Sequence, residues 1–268
     1  LKSASRKGVR ARIPFWAPSF TPSKRGRSRI AKKTRVNAGP AAVDTSPAFY
    51  RLHGDRYADN QVARTQRVWA KTSHPLLEGN HSLVDALVGM APGPKGLDAG
   101  CGAGAIDVAE LVDRGLDVVG IDAVEENVEA ALRLHPSLQG RVHVADLSEP
   151  LDYPAAEFDF VMCNAVIQHL SPVQVFRSTI PELARVLRLG GILQLVFKCG
   201  KGTVTLRDPD YDTVRSFQLF PVPTIVSTLR AHGMALVPAA DEHSLGGLMY
   251  FTNNNDLEHC AIWARKIS

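Results

Sequence analysis

GLDAGCGAGA, residues 96–105, places three glycines at alternating positions directly after a short apolar segment. The apolar segment predicts a strand over residues 96–99, and the residues after the glycines predict a helix over residues 104–114. Glycine lets such a loop turn tightly and lets its N–H groups face a ligand, while the helix adds the positive end of its dipole. The stretch therefore predicts a strand, a ligand-binding loop and a helix in that order.

Short apolar segments continue to alternate with helical patterns beyond this loop. The further predicted elements are strands at residues 118–121, 142–145, 158–163 and 191–197, and helices at residues 124–134 and 172–189. Gly115 lies where a helix C-terminal cap is expected, and Ser171-Pro-Val-Gln174 has an N-cap, a first-turn proline and a capping-box residue. This alternation predicts a parallel sheet with helices on both faces.

Helical patterns also flank this region on both sides. Residues 49–90 predict two helices, with a capping box at Ser82–Asp85 for the second. Residues 217–233 predict one more helix, and residues 234–237 and 260–264 predict the last strands of the sheet.

Positive charge is concentrated at the start of the chain. Residues 1–35 hold 12 of the 31 Lys and Arg residues and no acid, so the remaining 19 face 27 acids. Residues 1–48 are rich in Lys, Arg, Ser and Pro and predict a disordered basic leader. This leader fits a solvated segment, an organellar transit peptide or a nucleic-acid arm, whereas the acidic remainder argues against a broad nucleic-acid-binding face.

Composition excludes several other classes of protein. The longest apolar runs are far shorter than the ~20 residues of a membrane span, so we expect a soluble protein without a membrane partner. The four cysteines, at positions 101, 163, 199 and 260, form no C-x-x-C pair, and the histidines show no ligand spacing. We therefore expect reduced cysteines, an intracellular location and no metal.

The glycine loop is compatible with two kinds of cofactor. Residues 100–105 also fit the dinucleotide fingerprint G-x-G-x-x-G/A, and Asp122 follows where an acid would bind a ribose, so a nicotinamide cofactor is one option. Asp98 before the loop would repel a pyrophosphate and suits an ammonium group. Asp146 and Asn164 end two further predicted strands and would reach the same crevice, where Asp146 could accept a hydrogen bond from an adenine amine.

Taken together, residues 96–200 resemble the class I S-adenosylmethionine-dependent methyltransferases, in particular the sequence-diverse type 11 group. The resemblance implies S-adenosylmethionine as the cofactor, with the glycines around its methionine part, Asp98 near its amino group and Asp122 on the ribose hydroxyls. It also implies Ala123 against the adenine, Asp146 at the adenine amine and Asn164 at the mouth where the methyl group is transferred. The implied cofactor-binding residues are Asp98, Gly100, Cys101, Gly102, Gly104, Asp122, Ala123, Asp146, Leu147 and Asn164.

The same resemblance implies a fold and a division of the chain. We expect an α/β fold with a doubly wound, mainly parallel, seven-stranded Rossmann-like sheet. N-terminal helices and the disordered basic leader would precede this sheet. Residues 1–48 would be the leader, residues 49–95 a helical lid, and residues 96–268 the methyltransferase domain with an acceptor-lid insert at residues 203–256. Aromatic residues in the two lid segments are Tyr50, Tyr57, Trp69, Tyr211, Phe217, Phe220 and Tyr250.

The expected reaction is methylation of an O, N or C atom of a small molecule. His169, just after the fourth predicted strand, is the candidate catalytic base. Asn164 is not followed by the Pro-Pro-aromatic segment of the adenine and glutamine amide methylating relatives, which argues against those acceptors. The alternatives are an RNA methyltransferase that uses the basic leader, an NAD(P)-dependent oxidoreductase and a non-catalytic binding domain. We expect a cytoplasmic location, or an organellar one if the leader is a transit peptide.

Overall fold

A computed structural model describes residues 46–65, 69, 71–208, 211–241, 244–252 and 257–268. Most of the predicted basic leader, residues 1–45, lies outside the described residues. The expected boundary at residue 49 is slightly late, because the first helix begins at Ser46.

The described elements alternate in type along most of the chain. The helices are α1 (Ser46–Thr65), α2 (Asn80–Met90), α3 (Ile106–Asp113), α4 (Glu125–Leu134), α5 (Pro172–Gln174), α6 (Ile180–Val186) and α7 (Val222–Ala231), with a π-helical turn at Val175–Thr179 between α5 and α6 and 3-10 turns at Pro136–Leu138 and Ile167–His169. The strands are β1 (Lys71–Thr72), β2 (Lys95–Ala99), β3 (Asp117–Asp122), β4 (Val142–Val144), β5 (Phe158–Asn164), β6 (Leu187–Lys198), β7 (Gly202–Asp208), β8 (Thr213–Leu219), β9 (Met234–Leu236), β10 (Leu248–Thr252) and β11 (Glu258–Lys266). None of the described helices combines the length and the apolar character that crossing a membrane requires.

The main sheet has the strand order β1-β10-β11-β6-β5-β2-β3-β4, with β9 also paired to β11. Strands β6, β5, β2, β3 and β4 pair in parallel, and the strands at the β11 side pair antiparallel. The doubly wound α/β fold with a parallel core is therefore confirmed. Within the described residues the sheet has nine strands rather than the expected seven, because the two-residue β1 and the five-residue β10 were not predicted.

The strand order creates a crevice above the sheet. The chain runs outward from β2 through β3 to β4 and then returns to β5 on the opposite side of β2. At such a reversal the connections leave in opposite directions, which opens a crevice at the carboxyl ends of the strands. Asp98, Asp122, Asn164 and Lys198 lie at or beside the ends of β2, β3, β5 and β6, so all four reach this edge of the sheet.

The central strands are buried on both faces, which explains their continuous apolar sequence. On β5, Val161 and Cys163 pack into one hydrophobic core, while Phe160 and Met162 pack into the other. Gly96 on β2 lies directly against the buried Phe160 ring, so that a Cβ at this position would overlap the ring.

Two helix predictions extend too far. The helix predicted over residues 172–189 ends at Val186, because Leu187 is extended and pairs with Phe158 of β5. The helix predicted over residues 217–233 begins only at Val222, since residues 213–219 form β8 against β7 and a proline fits the first turn of α7.

The predicted helix caps have different outcomes. The capping box at Ser171 is present, and Gly115 has a φ of +85° just after α3. The capping box at Ser82 is wrong, because α2 begins at Asn80 after Gly79 and has no side-chain cap. The Ser82 hydroxyl instead accepts a hydrogen bond from the Glu78 N–H, at 3.3 Å.

The segment expected to form the acceptor lid, residues 203–256, is divided between two places in the fold. Strands β7 and β8 form a separate two-stranded sheet, whereas β9 and β10 belong to the main sheet. The β7–β8 hairpin is thus the part of this segment whose strands lie outside the main sheet.

Two glycines offer a matched test of this packing. We expect Gly96→Ala to lower the free energy of unfolding by about 1–3 kcal/mol, because its new methyl group overlaps Phe160. Gly89→Ala on α2 meets nothing within 4 Å and should raise the free energy of unfolding by about 0.5–1 kcal/mol. Urea unfolding followed by circular dichroism measures both, and equal effects would contradict the close packing of β2 on Phe160.

Candidate active site

The loop between β2 and α3 has a backbone that requires glycine. Gly100 and Gly102 have φ values of +100° and +68°, and a Cβ on Gly100 would overlap Val166. The N–H groups of Gly100 and Cys101 donate to the Ile121 carbonyl at 2.8 and 2.9 Å, which holds the loop against the end of β3. The loop is thus a compact turn whose shape depends on two of its three glycines.

A cavity of about 590 Å³ lies above the carboxyl edge of the sheet and beside this loop. Ten of the eleven residues predicted to bind the cofactor or act in catalysis line it: Asp98, Gly100, Cys101, Gly102, Asp122, Ala123, Asp146, Leu147, Asn164 and His169. Gly104 is buried and does not line the cavity. The described part of the chain contains no group of three or more His, Cys, Asp or Glu residues arranged to hold a metal ion.

Asp122 ties the glycine loop to the next strand and helix. Its carboxylate accepts hydrogen bonds from the N–H of Gly102, the N–H of Val124 and the side-chain amide of Asn127, each at 3.0 Å. Burial raises the pKa of Asp122, and the three hydrogen bonds oppose that rise. A carboxylate has about four acceptor positions, so one of them is left for a ligand in the cavity.

Three carboxylates converge at the loop. Asp98 is 4% exposed, and burial, followed by the negative charges of Asp107 and Asp122, raises its pKa well above the usual range. Burial and the charge of Glu110 raise the pKa of Asp107 to about 6, against a hydrogen bond with Asn164 that lowers it. Among the described residues, the charges that act on these two carboxyls are all negative. This end of the cavity therefore favours a cationic ligand.

The sequence interpretation missed Asp107. It lies in the first turn of α3, where an acid commonly does no more than complement the helix dipole. Its position two residues after Ala105, which has a φ of +40°, turns it toward the cavity. That backbone geometry could not be predicted from the residue type.

Asn164 is held by a chain of side-chain hydrogen bonds. The Gln194 side chain donates to Asn164 Oδ1 at 3.0 Å, and the Trp263 indole N–H donates to Gln194 Oε1 at 2.8 Å. Because its oxygen is used in this way, the Asn164 amide nitrogen is free to donate toward Asp107. Gln194 and Trp263 were not recognised from the sequence, since both lie within apolar strands.

The remaining predicted cofactor-binding residues border the outer part of the cavity. Asp146 is exposed, and its Oδ1 accepts a hydrogen bond from the Ser148 N–H at 2.8 Å. Ala123 is exposed and Leu147 is buried, and both are apolar residues in the lining of the cavity.

His169 lines the cavity and lies among aromatic rings. Its Nε2 is 3.4 Å from the Tyr50 hydroxyl, and its ring meets the Phe217 ring edge to face at 5.5 Å. Burial, followed by the positive charges of Arg215 and Lys198, lowers the pKa of His169 well below the usual value. The imidazole is therefore neutral near pH 7 and can accept a proton.

Arg215 connects the β7–β8 hairpin to α1. Its guanidinium donates to the Tyr50 hydroxyl at 3.0 Å, pairs with Asp208 at 3.2 Å and lies 4.0 Å from the centre of the Phe49 ring. Of the aromatic residues singled out in the two lid segments, Tyr50, Tyr57, Trp69 and Phe217 line the cavity, whereas Tyr211, Phe220 and Tyr250 do not.

Lys198 and a stack of rings form another wall. Lys198 Nζ is 3.2 Å from His259 Nε2 and 4.6 Å from the centre of the Phe217 ring. The Phe251 ring is stacked between Trp69, at 4.0 Å, and His259, at 4.9 Å. Lys198 and His259 were missed because each lies in an otherwise apolar strand and belongs to no recognisable motif.

Comparison with known proteins agrees with the family resemblance expected from the sequence. A family model described as a methyltransferase domain matches residues 97–195. An uncharacterized methyltransferase of Synechocystis sp. is 34% identical over 116 residues, which are 43% of this chain and 52% of that protein. The ubiquinone biosynthesis O-methyltransferase of Xanthomonas campestris pv. campestris is 32% identical over 166 residues, which are 58% of this chain and 64% of that protein. The chain therefore spans less than two thirds of the length of these curated relatives.

Solved structures share the fold at low sequence identity. The Burkholderia thailandensis 1,6-didemethyltoxoflavin-N1-methyltransferase, solved with S-adenosylhomocysteine, matches 90% of this chain and 98% of its own with a TM-score of 0.59 and 20% identity. The [4+2]-cyclase SpnF matches 85% of this chain and 97% of its own, also with a TM-score of 0.59, at 17% identity. These two neighbours differ in reaction, so the structural likeness concerns the fold alone.

The family match covers the glycine loop, the polar residues at the strand ends and the reversal between β4 and β5. The loop and the polar residues are the features on which the resemblance was based. Residues 97–195 of this chain therefore match the family of methyltransferase domains.

Proposed function

We propose that this protein transfers a methyl group from S-adenosylmethionine to an O, N or C atom of a small molecule. The observation that carries the proposal is the group of three carboxylates, Asp98, Asp107 and Asp122, at the glycine loop. A nicotinamide dinucleotide would bring a pyrophosphate to these acids, whereas S-adenosylmethionine brings an ammonium and a sulfonium group. The charge of the site thus favours the methyl donor over the dinucleotide.

The residues present fit this cofactor. Asp98 and Asp107 would hold its ammonium group, and the remaining acceptor position of Asp122 would bind a ribose hydroxyl. Ala123 and Leu147 would contact the adenine, and Asp146 would accept from the adenine amine. Gly100 and Gly102 would let the backbone approach the methionine part, because no Cβ stands in the way.

The chain's own part in the reaction is mainly one of positioning. When bound, S-adenosylmethionine supplies a methyl carbon that takes a lone pair from the acceptor while the C–S bond electrons return to sulfur. Holding the acceptor in line with that carbon supplies most of the rate enhancement, about 7–11 kcal/mol in well-oriented systems. Asn164 and His169 border the cavity between the acid group and the aromatic walls, which is where the acceptor has to be held.

His169 would receive the proton from an acceptor that carries one. Its neutral imidazole can accept a proton, and its distance of 3.4 Å from the Tyr50 hydroxyl helps to orient the ring. Its lowered pKa makes it a weak base, so it suits an acceptor whose own proton is acidic.

The first test concerns the charge at the loop. Asp98→Asn keeps the volume of the side chain and removes its charge, so we expect it to weaken binding of S-adenosylhomocysteine by about 10- to 100-fold, the usual range for a lost charged hydrogen bond. Isothermal titration calorimetry measures this, with the exposed Asp113→Asn as the control. Binding of NADH in place of S-adenosylhomocysteine by the unaltered protein would contradict the proposal.

A second test uses the pKa of Asp107. The ionised carboxylate attracts the cofactor's ammonium group, and protonation below a pKa of about 6 removes that attraction. We therefore expect the affinity for S-adenosylhomocysteine to fall as the pH drops from 8 to 5, by about tenfold per pH unit below 6 for one proton. Asp107→Asn should be weaker at pH 8 and less dependent on pH. An affinity that is the same at pH 5 and pH 8 would rule out this role.

An RNA acceptor is the second candidate, supported by the 12 Lys and Arg residues within residues 1–35. Backbone contacts by such a segment would make RNA binding fall steeply with salt. A full-length variant with these 12 residues replaced by Gln should then lose RNA binding in a filter assay while its affinity for S-adenosylhomocysteine is unchanged. Equal RNA binding by the two proteins would remove this candidate.

A further inference from the structure

Gln168 is a buried side chain whose amide oxygen has no hydrogen-bonding partner among the described residues. It belongs to the 3-10 turn Ile167–His169 that follows β5, and it is only 2% exposed. Its Oε1 is buried and accepts no hydrogen bond from the described part of the chain. Nearly all such atoms in folded proteins are paired, because leaving one unpaired costs free energy. The chain therefore keeps a polar side chain here at a cost to its stability.

Another buried glutamine shows how an amide is satisfied elsewhere in this fold. Gln218 of β8 is 9% exposed, and its Nε2 donates to the carbonyl oxygens of Gly202 and Leu219 at 2.8 and 3.0 Å. That amide connects the two strands of the β7–β8 hairpin. Gln168 has no comparable structural task, since its neighbours Ile167 and Val166 in the turn are apolar and an apolar residue would pack there without an unpaired oxygen.

Asn127 also has an unpaired amide oxygen within the described residues, but its role is already accounted for. Its nitrogen donates to the Asp122 carboxylate at 3.0 Å. Its Oδ1 lies beside Gly54 of α1, 3.6 Å from where a Cβ on that glycine would be. The packing of α1 thus covers the Asn127 oxygen, whereas Gln168 lines the cavity.

The turn that carries Gln168 connects the glycine loop to the aromatic part of the cavity wall. Two residues earlier, Val166 lies so close to Gly100 that a Cβ on this glycine would overlap it. One residue later, His169 lies 5.7 Å from the Tyr50 ring, centre to centre, and is the residue proposed to take the acceptor's proton. A group bound at Gln168 is therefore close to the place where the methyl group is transferred.

The other wall beside this turn consists of flat rings. Tyr50 and Tyr57 meet edge to face with their centres 5.0 Å apart, and Phe217 lies 5.5 Å from the His169 ring. All four residues line the cavity. Aromatic walls favour an aromatic guest, because rings pack against one another at such distances. An amide oxygen next to these walls favours a ring that also carries a hydrogen-bond donor.

We propose that Gln168 selects the methyl acceptor, by accepting a hydrogen bond at Oε1 from an O–H or N–H group on an aromatic acceptor. The terminal torsion of a glutamine is broad, so a small turn of the amide brings Oε1 to the surface of the cavity. The bound donor then supplies the partner that the described residues do not, and an analogue without a donor leaves the oxygen unpaired. The proposal rests on the proposed function in that the bound molecule is taken to be the acceptor.

Binding of matched probes tests this with S-adenosylhomocysteine present. The probes are 2-naphthol against 2-methylnaphthalene for the O–H group, and indole against benzofuran for the N–H group. The two members of each pair have nearly the same shape, and only the first member has a donor. We expect the donor of at least one pair to bind about 10- to 100-fold more tightly in isothermal titration calorimetry. The pair that shows the preference identifies the kind of donor.

Three variants connect the preference to Gln168. Gln168→Met keeps the length of the side chain and removes the unpaired oxygen, so it should abolish the preference and raise the urea midpoint of unfolding. Gln168→Glu keeps an acceptor oxygen and should retain the preference for the donor. Gln139→Met replaces an exposed glutamine and should change neither quantity. A cooperative urea transition, followed by circular dichroism, shows that each variant is folded.

The outcomes separate this inference from the proposed function. Failure of the unaltered protein to bind S-adenosylhomocysteine would overturn the proposed function, and with it the identification of the bound ring as an acceptor. Normal binding of S-adenosylhomocysteine with equal affinity for both members of each pair would overturn the hydrogen bond to the acceptor alone. A preference that persists in Gln168→Met, or is lost in a folded Gln168→Glu, would overturn the role given to this residue. A lower urea midpoint for Gln168→Met would show that its amide is already satisfied, and would contradict the inference as well.

Discussion

The hydrogen bonds of the Asp122 carboxylate join the glycine loop to a strand end and a helix that follow about 20 residues later in the chain. They connect the glycine loop after β2 to the end of β3 and to the first turn of α4. With the two N–H bonds from the loop to Ile121, they hold the loop in a shape that glycine alone would leave free. The position of the glycine loop beside the cavity depends on this connection.

Burial gives the site its electrostatic character. The same parallel strands that form the core deliver Asp98 and Lys198 to the carboxyl edge of the sheet, where little water is left to screen them. Charges of one sign on neighbouring strands raise the free-energy cost of ionising one another. A bound ligand of the opposite sign offsets that cost. The order of the strands thus decides which end of a ligand faces which end of the cavity.

Sequence patterns predicted the central strands, the loop and the polar residues at strand ends, because continuous apolar runs and glycine spacing reflect local constraints. They failed where long-range pairing decides the structure, as at Leu187, which leaves a helical pattern in order to pair with Phe158. For a related reason, the sequence did not indicate a role for Lys198, Asp107 or His259. Each acquires its role from neighbours far away in sequence, and its residue type alone is as common on a surface as in a site.

The contact of Arg215 with Tyr50 and Phe49 bears on how quickly molecules enter and leave. It fastens the first helix to the hairpin, and both elements border the cavity. Any movement of the hairpin away from the first helix requires this fastening to open, and lid motions of this kind typically take microseconds to milliseconds. The residues that control such a movement lie far along the chain from the glycine loop and its acids.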